Sequence, residues 1–409
     1  MSERGGVEVL TFGCRLNIVE SEAMRAAAVA AGHRDLVIVN SCAVTSEAVR
    51  QARQAIRRVV RDRPGTEIVV TGCAAEVDPS LAGISDVTRL LPNGGKTSPA
   101  AWSRPGLTPA ASPSLPGFGP RSTGGHTRSF VEIQNGCDHR CTFCIIPFGR
   151  GASRSTPPER IVAEIRRQVE AGAAEAVLTG VDVTSYATAD GLGLGSLLKR
   201  VLREVPDLPR LRLSSLDCIE ADPDLMDVVA HEPRFMPHLH LSLQHGSDLI
   251  LKRMKRRHSR ADAVRFCADI RRLRPEMAFG ADLIAGFPTE TDCQAEDSLR
   301  LVADCGLSHI HVFPYSSRPG TPAARMPAVP GPVIKARAAT LRAAGEAALA
   351  RHLGSHVGTR RLVLAERGGR GRTEDFSAVR LSDTAEPGRI VELAITGHDG
   401  RELLAARDW

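Results

Sequence analysis

The sequence predicts an α/β protein in three parts: an N-terminal parallel-sheet α/β domain, a central partial (β/α)6 barrel and a small C-terminal all-β barrel. Short apolar strands alternate with helical stretches over residues 7–92 and again, as six units, over residues 128–345. A stretch rich in Pro, Gly, Ser and Ala separates the two alternations, and beyond residue 355 only short strands joined by Gly-rich turns remain. A chain of 409 residues is also too long for one ordinary core, in keeping with two or three domains.

The elements justify this in order. In the first domain, 1–92, strands are expected at 7–12, 36–40 and 67–71, with helices at 20–31 and 47–61. A cysteine follows each strand: Cys14 in Phe12-Gly-Cys, Cys42 in Asn40-Ser-Cys and Cys73 in Thr71-Gly-Cys. The carboxyl ends of parallel strands share one edge, so these three thiols would converge there, and Gly13 and Gly72 would let the backbone approach a bound group closely. Three buried core cysteines are the alternative. Residues 93–127 read as a linker. In the barrel, 128–354, strands are expected at 130–134, 176–179, 211–215, 238–243, 279–285 and 309–313. Helices fall between them, such as 157–171 with Ile161, Ile165 and Val169 on one face. The tail, 355–409, offers strands at 361–365, 376–381 and 388–395, with a basic character set by Arg360, Arg361, Arg367, Arg370 and Arg372.

Chemistry is carried above all by Cys137, Cys141 and Cys144, an unequally spaced triplet just after the first barrel strand, where barrel folds place their active loops. Three thiolates on a four-iron cluster leave one iron open to a ligand, whereas a structural site closes its shell. A zinc site completed by a distant His, or half of a disulfide pair, remains the local alternative. Apolar residues make up 42% and charged residues 24%, no run could span a bilayer, and residues 1–6 lack a signal peptide, so a cytoplasmic protein without a membrane partner is expected. In a reducing compartment ten cysteines are metal ligands and buried thiols rather than disulfides. A net charge of +6 is compatible with RNA but does not require it. Cys218, Cys267, Cys293 and Cys305 read as buried or incidental thiols, with Cys218 facing the site if it follows the third barrel strand. The basic run 252–258 reads either as a rim for RNA or as a solvated helix face.

Cys-x3-Cys-x2-Cys with Phe143 before the last cysteine resembles the signature of the radical S-adenosylmethionine enzymes. That resemblance implies a [4Fe-4S] cluster on Cys137, Cys141 and Cys144, whose open iron chelates S-adenosylmethionine and whose electron cleaves it to a 5′-deoxyadenosyl radical. The leading triplet and the β tail narrow the likeness to the methylthiotransferases, in which a second-cluster domain, a radical barrel and a TRAM domain follow one another. The resemblance rests on Phe12-Gly-Cys-Arg-Leu-Asn17, Val39-Asn-Ser-Cys-Ala-Val-Thr45, Thr71-Gly-Cys73, residues 282–290 and residues 311–321. It implies two [4Fe-4S] clusters, the second on Cys14, Cys42 and Cys73 handling sulfur. It also implies an S-adenosylmethionine pocket including Phe143, Thr179, Gly180, Ser214 and Gln244 and an electron donor such as flavodoxin or ferredoxin, while the basic tail itself reads as an RNA face at Arg360, Arg361, Arg370 and Arg372 or as an ordinary solvated charge run. Asp217, in Ser214-Ser-Leu-Asp-Cys218, stands where the family has Glu, and His245 where it has Ser.

Gln134-Asn-Gly-Cys137, Cys144-Ile-Ile-Pro147 and Leu178-Thr-Gly-Val181 are most similar to the branch that methylthiolates threonylcarbamoyladenosine in the tRNA anticodon arm. The branch acting on isopentenyladenosine is the alternative, and the branch acting on a ribosomal-protein aspartate fits less well, since Arg318 in Tyr-Ser-Ser-Arg-Pro resembles the tRNA branches. A different class of reading is a non-catalytic, zinc-dependent RNA-binding protein, which would be colourless where an iron–sulfur enzyme is brown.

Overall fold

The computed structural model describes residues 6–81, 83–84, 86–103, 127–381 and 385–406. Its first unit is a parallel sheet in the order β1 (Val7–Thr11), β2 (Leu36–Ser41), β3 (Glu67–Gly72), β4 (Arg89–Leu90). Every residue of β2 is buried, because helices cover both faces. α1 (Arg15–Ala30) sets Met24, Ala27 and Ala28 against Leu36, Ile38 and Val69, while α2 (Ser46–Asp62) sets Ala52 and Ile56 against Val37, Val39 and Val70. α2 starts where Thr45 Oγ1 accepts the Ala48 amide at 3.2 Å, and its apolar residues recur at helical spacing on one face. The short α3 (Cys73–Val77) follows β3 directly.

Residues 93–103 were expected as the head of a linker, yet they pack onto this unit. Trp102 is fully buried against α1, with its indole N–H donating to Lys96 O at 2.7 Å, and Lys96 is itself buried. Composition marks Pro and Gly in this stretch but not the single Trp and Lys whose burial anchors it. The rest of the expected linker, 104–126, lies outside the described residues.

Six parallel strands form the second unit as an open barrel wall. β5 (Ser129–Glu132) begins it, a two-stranded excursion of β6 (Gln134–Asn135) and β7 (Arg154–Ser155) follows, and α4 (Ile146–Arg150) lies between these two. Then come α5 (Pro158–Glu170), β8 (Glu175–Thr179), α6 (Leu194–Glu204) and β9 (Arg210–Leu213), which continues past Ser214 as β10 (Ser215–Leu216). After α7 (Pro223–His231) the wall resumes with β11 (His238–Gln244), α8 (Asp248–Arg253), α9 (Arg260–Leu273), β12 (Ala278–Ala285), α10 (Asp292–Asp304) and β13 (Leu307–Pro314). The strands pair in parallel as β5-β8-β9 and β10-β11-β12-β13, so the third expected strand is one strand interrupted at Ser214. Leu239, Leu241 and Leu243 face the helical layer with Ile161, Ile165 and Leu197 in the main core. The alternate β11 residues, His238, His240, Ser242 and Gln244, therefore face the barrel interior.

α11 (Gly331–Gly354) packs on β13 and leads into a closed barrel of β14 (Arg360–Glu366), β15 (Arg370–Arg372), β16 (Ala378–Leu381), β18 (Leu403–Ala406) and β17 (Ile390–His398), in that order around the barrel. β15 and β18 carried too short an alternation to be anticipated. This small barrel caps the end of the larger one opposite the cysteines: Arg212 donates to Thr373 O and Glu374 O at 2.9 and 2.8 Å, Arg210 donates to Leu362 O at 2.8 Å, and the Phe376 ring stacks on His238 at 5.0 Å. Among the described residues no helix is long and apolar enough to cross a membrane.

Candidate metal centres

The barrel triplet sits on a loop that three elements pin. Gly136, at φ +75°, turns the chain so tightly that a Cβ there would lie 1.9 Å from Ala152 O. Buried Gln134 donates to Gly136 O at 2.7 Å while its Oε1 accepts the amides of Val181 and Asp182 at 3.2 and 2.9 Å, tying the loop to the end of β8. Thr142 donates its amide to Met254 O at 3.0 Å and its hydroxyl to Arg253 O at 2.7 Å. Cys137, Cys141 and Cys144 then line a cavity of about 130 Å³ together with Phe143, Gln244, Asp182, Asp217 and Arg256. Burial pushes the Cys137 and Cys144 thiols up to about 12, the Asp182 carboxylate adding to the shift of Cys137. Thiols held neutral in this way give up their protons only to a cation that repays the desolvation, as a metal does. Arg256 bridges the site, its Nη1 3.8 Å from Cys141 Sγ and its Nη2 2.7 Å from Asp217 Oδ2.

The leading triplet also converges. Cys14 is the residue before α1, Cys42 follows β2 and Cys73 opens α3. Gly13, at φ +114°, lets the chain pass so close that a Cβ would meet Cys42 Cβ at 2.7 Å and Sγ at 3.0 Å. Burial raises the Cys42 thiol to about 11 and raises Cys73 as well. The two triplets adjoin: α4 begins two residues after Cys144 and packs on α3, where a Cβ at Gly149 would be 3.0 Å from Cys73 Cβ. Asn93 donates to Gly149 O and lies 3.7 Å from Cys73 Sγ. Two sets of three convergent thiols, each cradled by a glycine with no room for a side chain, are a donor set that fits iron–sulfur clusters.

Of the expected pocket residues, Phe143 and Gln244 line the cavity. Thr179 is buried at the end of β8, Gly180 lies against Gln134, with 2.7 Å between a built Cβ and Gln134 O, and Ser214 Oγ is buried without a hydrogen-bond partner where β9 gives way to β10. Sequence reasoning missed Gln134, Asp182 and Arg256. His139 approaches Asp182 and Glu220 at 3.5 and 3.6 Å, and its ring stands beside Cys137. His245 turns away from the cavity to pair with buried Glu290 at 3.0 Å, and Cys218 packs in the main core, not in the site. The basic run is split: Lys252, Lys255 and Arg257 are exposed, Arg257 pairing with Glu220, whereas Arg256 and buried His258 point inward. Two of the four arginines expected to face RNA are occupied at the domain junction, since Arg361 approaches Glu374 and Asp375 and Arg372 donates to Phe376 O at 3.1 Å. Arg360 and Arg370 are exposed, beside Glu392 and Glu402.

This architecture defines the class. The radical SAM superfamily model matches residues 131–302, and the model described as uncharacterized protein family UPF0004 matches residues 6–88. The chain is 43% identical, over 95% of its length and 94% of the relative's, to the threonylcarbamoyladenosine tRNA methylthiotransferase MtaB of Rickettsia prowazekii. It is 33% identical, over 100% of its length and 99% of the relative's, to a tRNA-2-methylthio-N(6)-dimethylallyladenosine synthase of Cereibacter sphaeroides. In fold it is similar to the radical S-adenosylmethionine methyltransferase TsrM of Kitasatospora setae, with a TM-score of 0.50 at 15% identity over 76% of this chain and 68% of that one. The chain belongs to the radical S-adenosylmethionine methylthiotransferase family, and is an enzyme whose cofactors include S-adenosylmethionine and a [4Fe-4S] cluster.

Proposed function

We propose that the chain converts N6-threonylcarbamoyladenosine next to the tRNA anticodon to its 2-methylthio derivative. The observation that carries this is the adjacency of two cysteine triplets across the α3–α4 contact, in a chain 43% identical along nearly its whole length to an enzyme named for that substrate. Cys137, Cys141 and Cys144 would hold the [4Fe-4S] cluster, which supplies the electron that cleaves S-adenosylmethionine. Phe143, Thr179, Gly180, Ser214 and Gln244 would shape the pocket around that ligand, and the buried Asp217–Arg256 pair would fix its floor. Cys14, Cys42 and Cys73 would hold a second [4Fe-4S] cluster from which sulfur reaches the adenosine.

The C-terminal barrel, read as a TRAM domain, would offer Arg360 and Arg370 to the phosphates of the anticodon arm. A flavodoxin or ferredoxin would deliver the electron, and a tRNA substrate places the work in the cytoplasm. Cys141→Ala is expected to abolish S-adenosylmethionine cleavage, whereas Cys42→Ala spares cleavage and abolishes methylthio product, both read by chromatography of the reaction. Mass spectrometry of tRNA nucleosides from a deletion strain tests the substrate: loss of the methylthiolated isopentenyl nucleoside, with the threonylcarbamoyl one intact, overturns the assignment. Colourless, zinc-loaded protein under anaerobic conditions would overturn the enzyme mechanism itself.

A further inference from the structure

Beneath the leading triplet lies a group of ionised side chains with almost no access to water. The Lys96, Glu20 and Arg150 side chains are 1%, 4% and 1% exposed. Lys96 Nζ and Arg150 Nη1 each lie 2.7 Å from a different oxygen of the Glu20 carboxylate. Arg150 Nη2 adds a bond to Glu20 Oε2 at 3.2 Å, and the other contacts meet neutral oxygens: Arg150 reaches Asn17 Oδ1 at 2.8 Å and Asn135 Oδ1 at 3.0 Å, and Lys96 reaches Asn40 Oδ1 at 3.0 Å. Two cations thus share one carboxylate, and a buried charge without a partner is strongly unfavourable. Glu132, the next acid, makes its contact with Asn135 at 3.3 Å, and burial followed by the Glu20 charge raises it to about 7, so it offsets the surplus only in part.

Both cations stand one side chain away from a cysteine. Asn17 Oδ1, which accepts from Arg150, also accepts from Cys14 Sγ at 3.3 Å. Arg150 follows Gly149, the residue packed on Cys73. Asn40 Oδ1, which accepts from Lys96, lies 2.8 Å from where a Cβ of Gly72 would stand, immediately before Cys73. Three thiolates around a doubly charged iron–sulfur core leave one net negative charge, the complement of this surplus.

We propose that Lys96 and Arg150, braced by Glu20, are a buried counter-charge for the cluster on Cys14, Cys42 and Cys73, and that they raise its reduction potential by stabilising the added electron. This rests on the second cluster proposed above. Because Arg150 ends α4, which begins just after Cys144, the same side chain ties the electrostatics of one triplet to the fold of the other. The residues act through the cluster's environment, so they are positioning and charge-setting residues.

The test uses the full chain with Cys137, Cys141 and Cys144 changed to Ser, reconstituted anaerobically with iron and sulfide and titrated with dithionite as the one-electron donor, while electron paramagnetic resonance follows the reduced cluster. Lys96→Met is expected to lower the ratio of reduced to oxidised cluster at a fixed potential at least tenfold, 59 mV for a one-electron couple, with iron content unchanged. Glu20→Gln, which removes a negative charge, is expected to shift it the opposite way, and Arg150→Lys to retain the parental potential. A merely structural triad predicts no such reversal of sign. Unmoved potentials, or shifts of the same sign in Lys96→Met and Glu20→Gln, overturn the proposal while leaving the second cluster in place. If Lys96→Met fails to load iron, the sign of the Glu20→Gln shift decides alone. Absence of iron from the triple-Ser parent overturns the second cluster, and this proposal with it.

Discussion

Gly13 shows how a single residue can decide a metal centre. Its φ of +114° strains any L side chain, and the added methyl of Gly13→Ala would meet Cys42 Cβ at 2.7 Å, so Cys42 or the turn itself must move. The backbone cost alone is about 1–2 kcal/mol, and the displacement falls on one of three thiols that have to converge. Gly13→Ala is therefore expected to lower the melting temperature by a few degrees and to halve the iron bound on anaerobic reconstitution, while S-adenosylmethionine cleavage persists because the barrel triplet is untouched. Iron analysis beside a cleavage assay checks this, and full iron content would show that the turn tolerates the methyl. The need for a glycine here was legible in Phe12-Gly-Cys14, where a small residue separates a strand from a cysteine. At Gly136 it was not, because the atom it must clear, Ala152 O, comes from the far side of a hairpin whose strands have only two residues each.

Among the elements, α8 and the turn after it were the hardest to read. Lys252-Arg-Met-Lys-Arg-Arg-His258 looks like a basic surface, yet its backbone carbonyls at Arg253 and Met254 grip Thr142 and its Arg256 enters the cavity. A charge count cannot distinguish an arginine that faces solvent from one that pairs with a buried carboxylate, and Asp217 lies 39 residues away in sequence. The amphipathic α2 and α5 were legible because their partners are simply the rest of the core. Arg256→Met would leave the Asp217 carboxylate buried without its cation, a loss of about 3–5 kcal/mol. Arg256→Met with Asp217→Asn is expected to recover much of that, since no charge is then stranded. Urea unfolding of the two single variants and the double variant measures the coupling; strict additivity would show that the pair does not act as a unit.

Across the whole molecule, the alternation that announces each α/β unit is a local property, and so it was visible; the docking of the C-terminal barrel is not local. It is built from polar side chains that face the inside of the larger barrel, where Arg210 and Arg212 donate to backbone carbonyls and Phe376 rests on His238. These contacts follow no apolar period, so nothing in the tail distinguished Arg361 and Arg372, which serve the junction, from the exposed Arg360 and Arg370. The histidines at this junction make it sensitive to acid. Burial lowers His309 to about 3, with the charges of His352 and Arg372 adding to the shift and that of Asp375 opposing it, and burial lowers His238 well below its usual range. In the unfolded chain a histidine titrates near 6.5, so between about pH 6.5 and pH 3 the unfolded state binds protons that the folded state refuses, and stability falls as the pH falls. At pH 5 the difference for His309 alone amounts to about 2 kcal/mol. His309→Gln is expected to flatten the decline of the unfolding free energy between pH 6.5 and pH 5 by about that amount, and hydrogen exchange is expected to locate the protected gain in residues 360–398. If the variant and the parent lose stability in parallel over this range, His309 is not the group that takes up the proton.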